Sequence, residues 1–530
     1  MSTSHIIETL RVRTQRELDN AKTHAERNRL GQFATPPRLA LAILQESQKF
    51  FGEEGRVRFL DPAFGTGAFY SALLETFPPE RIESARGVEI DPHYGKQAEQ
   101  LWARSSLKLE IRDFFSVRVP EGERDKPNLI VCNPPYVRHH HLSGTQKEQL
   151  GRLTGRTVGV RVNGLSGLYC YFLIYAHNWL ADNGLACWLI PSEFMDVNYG
   201  TVVKEYLLRK VTLLRIHRFD PSESQFDDAL VSSAVVWFRK SPPPVDHSVE
   251  FTFGGTFESP HITRHVPLSE LSQAPKWTRL TNGLSARSDA GAKLSDLFRV
   301  KRGLATGANQ FFVLTSEEIK KHNLPSKFVI PILPSPRYLT QDVIHADKKG
   351  NPLIEKPHFL LSCNLPPQQV KREYPSLWKY LQLGVEQKIH ERYLCNHRNP
   401  WYAQEDRPPS LFLCTYMGRH DSPKGSPFRF ILNLSKATAA NVYLLLYPKP
   451  PLTRLIGKRP DIVKKIWEGL TNISSESLVS EGRVYGGGLH KMEPRELANA
   501  SAENIIELLP DVRTEILSSK KSSALQHAFI

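Results

Sequence analysis

The sequence predicts an α/β protein with an open, largely parallel sheet in its first half and a separate mixed α/β domain in its second. Three observations lead there. Short apolar runs recur between residues 57 and 132, and each ends abruptly in a glycine turn, an acid or an asparagine. The first runs into the closely spaced glycines Gly65 and Gly67 and then a helical stretch, a strand–turn–helix. Past residue 240 the chain changes character: Pro242-Pro243-Pro244 breaks it, and basic residues, prolines and aromatics then recur without a repeat period.

Taken in order, residues 1–30 read as a helical segment of apolar residues spaced among charges. Gly31-Gln32-Phe33-Ala34-Thr35-Pro36-Pro37 interrupts it. Helical periodicity resumes over Arg38 to Phe51, with the prolines suited to its first turn and Thr35 to its cap. The strand Val57 to Leu60 delivers Asp61 to a turn, Ala63-Phe64-Gly65-Thr66-Gly67. This GxG is shorter than a dinucleotide fingerprint, and no Lys-Ser/Thr follows, so it is not a phosphate-binding loop. A second strand ends in Glu89-Ile90, at the distance from a glycine turn where an acid commonly accepts from ribose hydroxyls. A third, Leu107 to Ile111, is followed by Asp113-Phe114-Phe115, an acid and aromatics suited to the edge and face of an adenine. Leu168 to Leu180 reads as an apolar helix. Leu185 to Ile190, Thr212 to Phe219 and Ser232 to Phe238 read as further strands, with Phe226 in the polar loop between the last two.

The fourth strand carries the chemistry. Leu129-Ile130-Val131-Cys132 reads as a buried parallel strand, stopped by Asn133-Pro134-Pro135-Tyr136 because proline lacks an N–H and fixes φ. That places Asn133 at the carboxyl edge of a sheet, where open α/β folds bind ligands. The Asn133 side-chain oxygen and the Pro134 carbonyl are adjacent acceptors for both hydrogens of a planar NH2 group, and Tyr136 offers a flat face for its ring. Drawing on both N–H bonds returns a delocalised lone pair to the nitrogen for attack. His139-His140-His141 follows as a loop near the substrate; consecutive rings point apart and do not easily share a metal.

The net charge of +14 lies wholly in the second half: residues 276–530 hold 37 Lys and Arg against 23 Asp and Glu, while residues 1–275 balance at 32 of each. This asymmetry points to a polyanion held by the second half. No run approaches the ~20 apolar residues of a membrane span, and the charged start is no secretory signal. The six cysteines are scattered without a CxxC pair, which fits a reducing compartment, and the spacing of Cys395, His397, His390 and Cys414 is poor for zinc, so no metal is expected.

These motifs, specific from Gly31 to Phe238 and looser beyond, resemble the DNA adenine-N6 methyltransferases of bacterial type II restriction–modification systems, in the γ order of cofactor motifs, catalytic motif and C-terminal target recognition domain. The resemblance implies a Rossmann-like, seven-stranded mixed-sheet methyltransferase domain at 31–245, after the helical segment 1–30, a linker at 246–280 and an α/β target recognition domain at 281–530. Arg302-Gly303 through Asn309 and Gly486 through Glu493 look like that domain's opening and closing segments. It implies S-adenosylmethionine as cofactor. Thr35, Asp61, Ala63, Phe64, Gly65 and Gly67 would hold its methionine end, Glu89 its ribose and Ile90 its adenine, with Asp113 accepting from the adenine amine beside Phe114 and Pro135 also on the cofactor side. Asn133 and Pro134 would accept from the target amine, and Tyr136 and Phe226 would stack on the two faces of an adenine flipped out of double-stranded DNA. A monomer in the bacterial cytoplasm is expected, with a separately encoded restriction endonuclease as partner. The alternative is methyl transfer to another planar amine or amide, an RNA base or a protein glutamine. Protein-glutamine methyltransferases share the Asn-Pro-Pro-Tyr signature but are much shorter and lack a basic C-terminal half.

Overall fold

The apolar runs become one sheet. The computed structural model describes residues 3–159, 162, 164–221, 223, 225, 232–281, 291–419, 426–485 and 488–509; Phe226 lies outside them. Its first strands are β1 (Val57–Asp61), β2 (Ile82–Glu89), β3 (Leu107–Ile111) and β4 (Leu129–Cys132), followed by β5 (Leu185–Pro191), β6 (Thr212–Arg218) and β7 (Ser233–Arg239). The order β3-β2-β1-β4-β5 is parallel throughout, and β7 lies antiparallel between β5 and β6. Central β4 and β5 are buried along their whole length, as strands covered on both faces must be, whereas edge strand β3 is only half-buried.

The sheet does not stop at the seven strands expected. Two more, β8 (Ser248–Gly255) and β9 (Pro260–Pro267), extend it past β6, so the segment expected as a linker is a structural hairpin. Val249, Phe251 and Val266 are fully buried at alternating positions, while the outward residues of β9 are polar. That two-residue period is short and one-sided, which made the composition look irregular.

Alternate side chains of the sheet feed two cores. Leu60, Ile130, Trp188 and Ile190 point to one face, and Phe59, Leu129, Val131 and Leu189 to the other. Among the described residues the α-helices before β6 are α1 (Thr3–Asn20), α2 (His24–Leu30), α3 (Pro37–Phe51), α4 (Ala68–Thr76), α5 (Pro92–Leu101), α6 (Gly144–Val158), α7 (Leu168–Tyr175) and α8 (Thr201–Arg209). Helices α6, α7 and α8 bury apolar residues in the first core, α3 and α4 in the second. The N-cap of α3 is Pro36, without a side-chain hydrogen bond, so Thr35 is not the cap expected and its hydroxyl is free for another use.

The chain separates into two compact units, 1–287 with 485–488, and 288–484 with 489–530. The second is built on a five-stranded sheet in the order Phe298–Arg302, Tyr443–Pro448, Phe412–Thr415, Phe430–Asn433 and Val343–Ile344, beside smaller four- and three-stranded sheets. After its first strand the Gly-rich stretch is fixed by backbone pairing. The Gly303 N–H donates to the Tyr443 carbonyl, and a Cβ at Gly303 would lie 2.1 Å from the Ala440 oxygen. The Arg398 guanidinium donates to the carbonyls of Ala305 (2.5 Å) and Thr306 (2.8 Å). Among the described residues no helix is long and apolar enough to cross a membrane.

Candidate active site

The order of the sheet reverses between β1 and β4, and crevices form at the carboxyl ends of strands where such a reversal occurs. A cavity of about 1400 Å³ opens there. Strand β1 delivers Asp61 to it and β2 delivers Glu89; Asp113 follows β3, and Asn133 and Pro135 follow β4. Thr35, Ala63, Phe64, Gly65, Ile90 and Phe114 complete the sequence-assigned residues on its wall.

Asn133 is oriented by a segment nearly one hundred residues away. Its Nδ2 donates to the Phe33 carbonyl at 3.0 Å and to Thr35 Oγ1 at 3.1 Å, which uses both amide hydrogens and fixes the flip of the side chain. Among the described residues no donor reaches its Oδ1, which is buried. A buried acceptor left unpaired costs about 1–3 kcal/mol, so it marks a place where a ligand donor belongs. Gly31 makes this packing feasible. It has φ of +64°, its carbonyl accepts from the Tyr136 N–H at 3.1 Å, and a Cβ there would lie 2.4 Å from the Tyr136 nitrogen. In the sequence Gly31 read only as a helix break.

The two acids at the strand ends are buried. Asp61 Oδ1 accepts from the Ala63 N–H at 3.1 Å; burial, with the charge of Glu89 nearby, pushes its carboxyl up to about 8. Glu89 accepts from the N–H groups of Gly65 (2.7 Å) and Asp91 (2.8 Å), and burial raises its carboxyl as well. Gly67 is not on the wall. It caps α4 with φ of +90°, where a Cβ would meet Trp102 Nε1 at 2.6 Å. Ile90 is 62% exposed beside the cavity, an apolar surface for a flat ring.

Tyr136 and Pro134 do not line this cavity; the Tyr136 ring is buried in the core, with its hydroxyl donating to the Leu189 carbonyl at 3.1 Å. A tyrosine this deep is held by its hydroxyl's need for a partner. Phe114, expected beside an adenine, borders the cavity and is otherwise buried in the core, stacked on Phe172 with ring centroids 5.5 Å apart. Its half-buried neighbour Phe115 lines the cavity and stands edge-on to Phe172. Both phenylalanines border the cavity and pack on Phe172 and Tyr175, and they differ in depth, Phe114 buried and Phe115 half-buried. His140 and His141 border the cavity too.

Helix α1 adds residues that no motif flagged. The buried Arg11 donates to Thr66 Oγ1 at 3.1 Å, Thr66 donates to Gln15 Oε1 at 2.6 Å, and Tyr94 donates to Asp19 at 2.9 Å. These bonds hold Gln15 and Asp19 at the cavity wall.

A family model described as Eco57I restriction-modification methylase matches residues 79–226, and one described as the C-terminal domain of the type II methyltransferase M.Eco57I matches residues 276–528. Together the two models span most of the chain, and both describe methylases of the Eco57I restriction–modification type. The first match holds Glu89, Asp113 and Asn133, and the second takes in most of the second unit. The chain is 24% identical over 543 residues to the type II methyltransferase M.AccI of Acinetobacter calcoaceticus, covering 98% of this chain and 93% of that one. It is 26% identical to M.XamI of Xanthomonas campestris pv. amaranthicola, covering 83% and 79%. Among solved structures it resembles the type IIL restriction-modification enzyme MmeI in complex with DNA, with a TM-score of 0.50 at 13% identity, covering 86% of this chain and 63% of that one. It also resembles the DrdV–DNA complex, with a TM-score of 0.52 at 13% identity, covering 91% and 56%. At such identity these two likenesses concern the fold alone.

Proposed function

We propose that this methylase transfers a methyl group from S-adenosylmethionine to the exocyclic N6 of an adenine flipped out of double-stranded DNA, as the modifying partner of a separately encoded restriction endonuclease. The observation that carries the reading is the buried, unpaired and rigidly oriented Oδ1 of Asn133 at the cavity wall. It is an acceptor waiting for an N–H, and accepting an amine hydrogen there would return lone-pair density to the nitrogen.

The cofactor fits the donor set. Asp61 and Glu89 are buried carboxyls with raised pKa, which suits a ligand bearing an ammonium group and hydroxyls. Ile90 and Phe115 offer apolar surface for its adenine, with Asp113 beside them to accept from the amine. The bound sulfonium supplies an already activated methyl group, and the protein's part is position and polarisation. Tyr136 acts as an anchor for the loop through Leu189; Phe226 remains the aromatic proposed to stack on the base. Extrusion of a base costs a few kcal/mol, and basic residues of the second unit would hold phosphates while others read bases.

Labelled methyl groups supplied with duplex DNA should appear, after digestion to nucleosides, in N6-methyladenine. Label in cytosine, in RNA or in protein would overturn the reading. Gly31→Ala should lower the rate about 100-fold, since its Cβ must push the Tyr136 backbone and with it Asn133 by a sizeable fraction of an ångström. Retention of the wild-type rate would show that the packing of Gly31 against Tyr136 does not govern Asn133.

A further inference from the structure

The cavity is polarised in charge. At the strand ends stand Asp61, Glu89 and Asp113, with Asp19, Asp91 and one cation, Arg29, also on the wall. The chain leaving Pro135 runs instead through His140 and His141 to α6, where Gln149, Arg152 and Arg156 are spaced three and four residues apart and so share one face. All three line the same cavity as Asn133 and are exposed. The opposite face, Leu150, Thr154 and Val158, is buried and holds the helix in place. Glu148 is the only acid between residues 137 and 159 and does not line the cavity; it pairs with Arg152 at 3.3 Å, both side chains 62% exposed. Such an exposed pair is weak and readily exchanged for another anion. The cavity's volume of about 1400 Å³ also exceeds the roughly 300–1000 Å³ of ordinary ligand pockets, leaving room beyond one cofactor.

We propose that the Gln149–Arg152–Arg156 face of α6 grips the phosphates of the target strand beside the base presented to Asn133. Residues 1–275, neutral in sum, then carry their own polyanion contact in addition to the basic second half. The acidic wall takes the cationic methyl donor and the basic wall the polyanion, so one cavity sorts two ligands by charge. This inference rests on the DNA reading above.

The test is the full-length protein with Arg152→Gln and Arg156→Gln together, measured for duplex binding across salt concentration and for cofactor affinity. Each phosphate contact contributes about 0.9 to the slope of log affinity against log salt. The double variant should lose about 1–2 from that slope and bind DNA about ten-fold more weakly at 0.1 M salt, with cofactor affinity unchanged. Arg209→Gln, at an exposed side chain on the last turn of α8, should alter neither. An unchanged slope in a protein that still methylates DNA would overturn this inference alone, and a changed cofactor affinity would overturn it by giving the stripe to the cofactor. Failure of the unaltered protein to methylate DNA would instead sink the underlying reading. If the double variant melts early, Gln149→Glu gives the same readout by adding a repulsive charge.

Discussion

Asn133→Ala is expected to abolish measurable methyl transfer while the protein still binds S-adenosylmethionine. The loss follows from the geometry at Oδ1. Its two amide hydrogens are committed to Phe33 and Thr35, so the oxygen is aimed before any substrate arrives. A pre-aimed group of this kind at a reacting centre is worth about 100–1000-fold in rate. Removing the amide also releases the loop at Thr35, so the total loss should reach at least the upper figure. Asn133→Asp separates the two contributions: it keeps an acceptor oxygen but loses the donors that fix its direction. Rates are checked by single-turnover transfer, and cofactor binding by calorimetry. Near-normal turnover in Asn133→Ala would remove Asn133 from the chemistry and with it the proposed function.

Asp61 should make cofactor affinity depend on pH, and Asp61→Asn should remove that dependence. Burial holds the carboxyl up to about 8 in the free protein, so at pH 7 it is mostly protonated. A cationic ligand stabilises the ionised form and binding then releases a proton. Affinity should therefore rise as pH rises from about 6 to about 8 and level off above. For stability the sign is opposite. The folded-state pKa lies above the ordinary value of 3.8, so the folded protein holds the extra proton between them. The contribution of Asp61 is full below the ordinary value and is lost as pH rises through about 8. Asp61→Asn should bind cofactor about 10–100-fold more weakly above pH 8, with a flat pH profile, yet resist unfolding better there. Calorimetric titration and denaturant melts at pH 6, 7 and 8.5 check both halves, and an affinity independent of pH in the unaltered protein would refute the role.

Much of the strand scaffold was legible because the four strands ending near Asp61, Glu89, Asp113 and Asn133 are short stretches rich in apolar residues, the last of them unbroken, and each closes on a polar residue or a turn. The acids are recognisable since a carboxylate at a strand end has nothing to do in a core. What was not legible depends on contacts distant in sequence. Thr35 looked like a helix cap because Ser, Thr, Asp and Asn before a helix usually are, and only the fold reveals Asn133 as its partner. Phe114 and Phe115 are indistinguishable by composition. The depth of Tyr136 depends on the Leu189 carbonyl, fifty-three residues on. Ser248 to Pro267 was hidden by its one-sided burial, which leaves too few apolar letters to register as two strands.

That hairpin has a consequence for dividing the protein. Strand β6 is buried almost throughout and pairs on one side only with β8. A catalytic half ended at the proline run near residue 242 would present this greasy, hydrogen-bond-hungry ribbon to water, an invitation to stick to its own kind. Nature has instead finished the ribbon with β9, whose outward histidines and threonine make a poor template for any further chain.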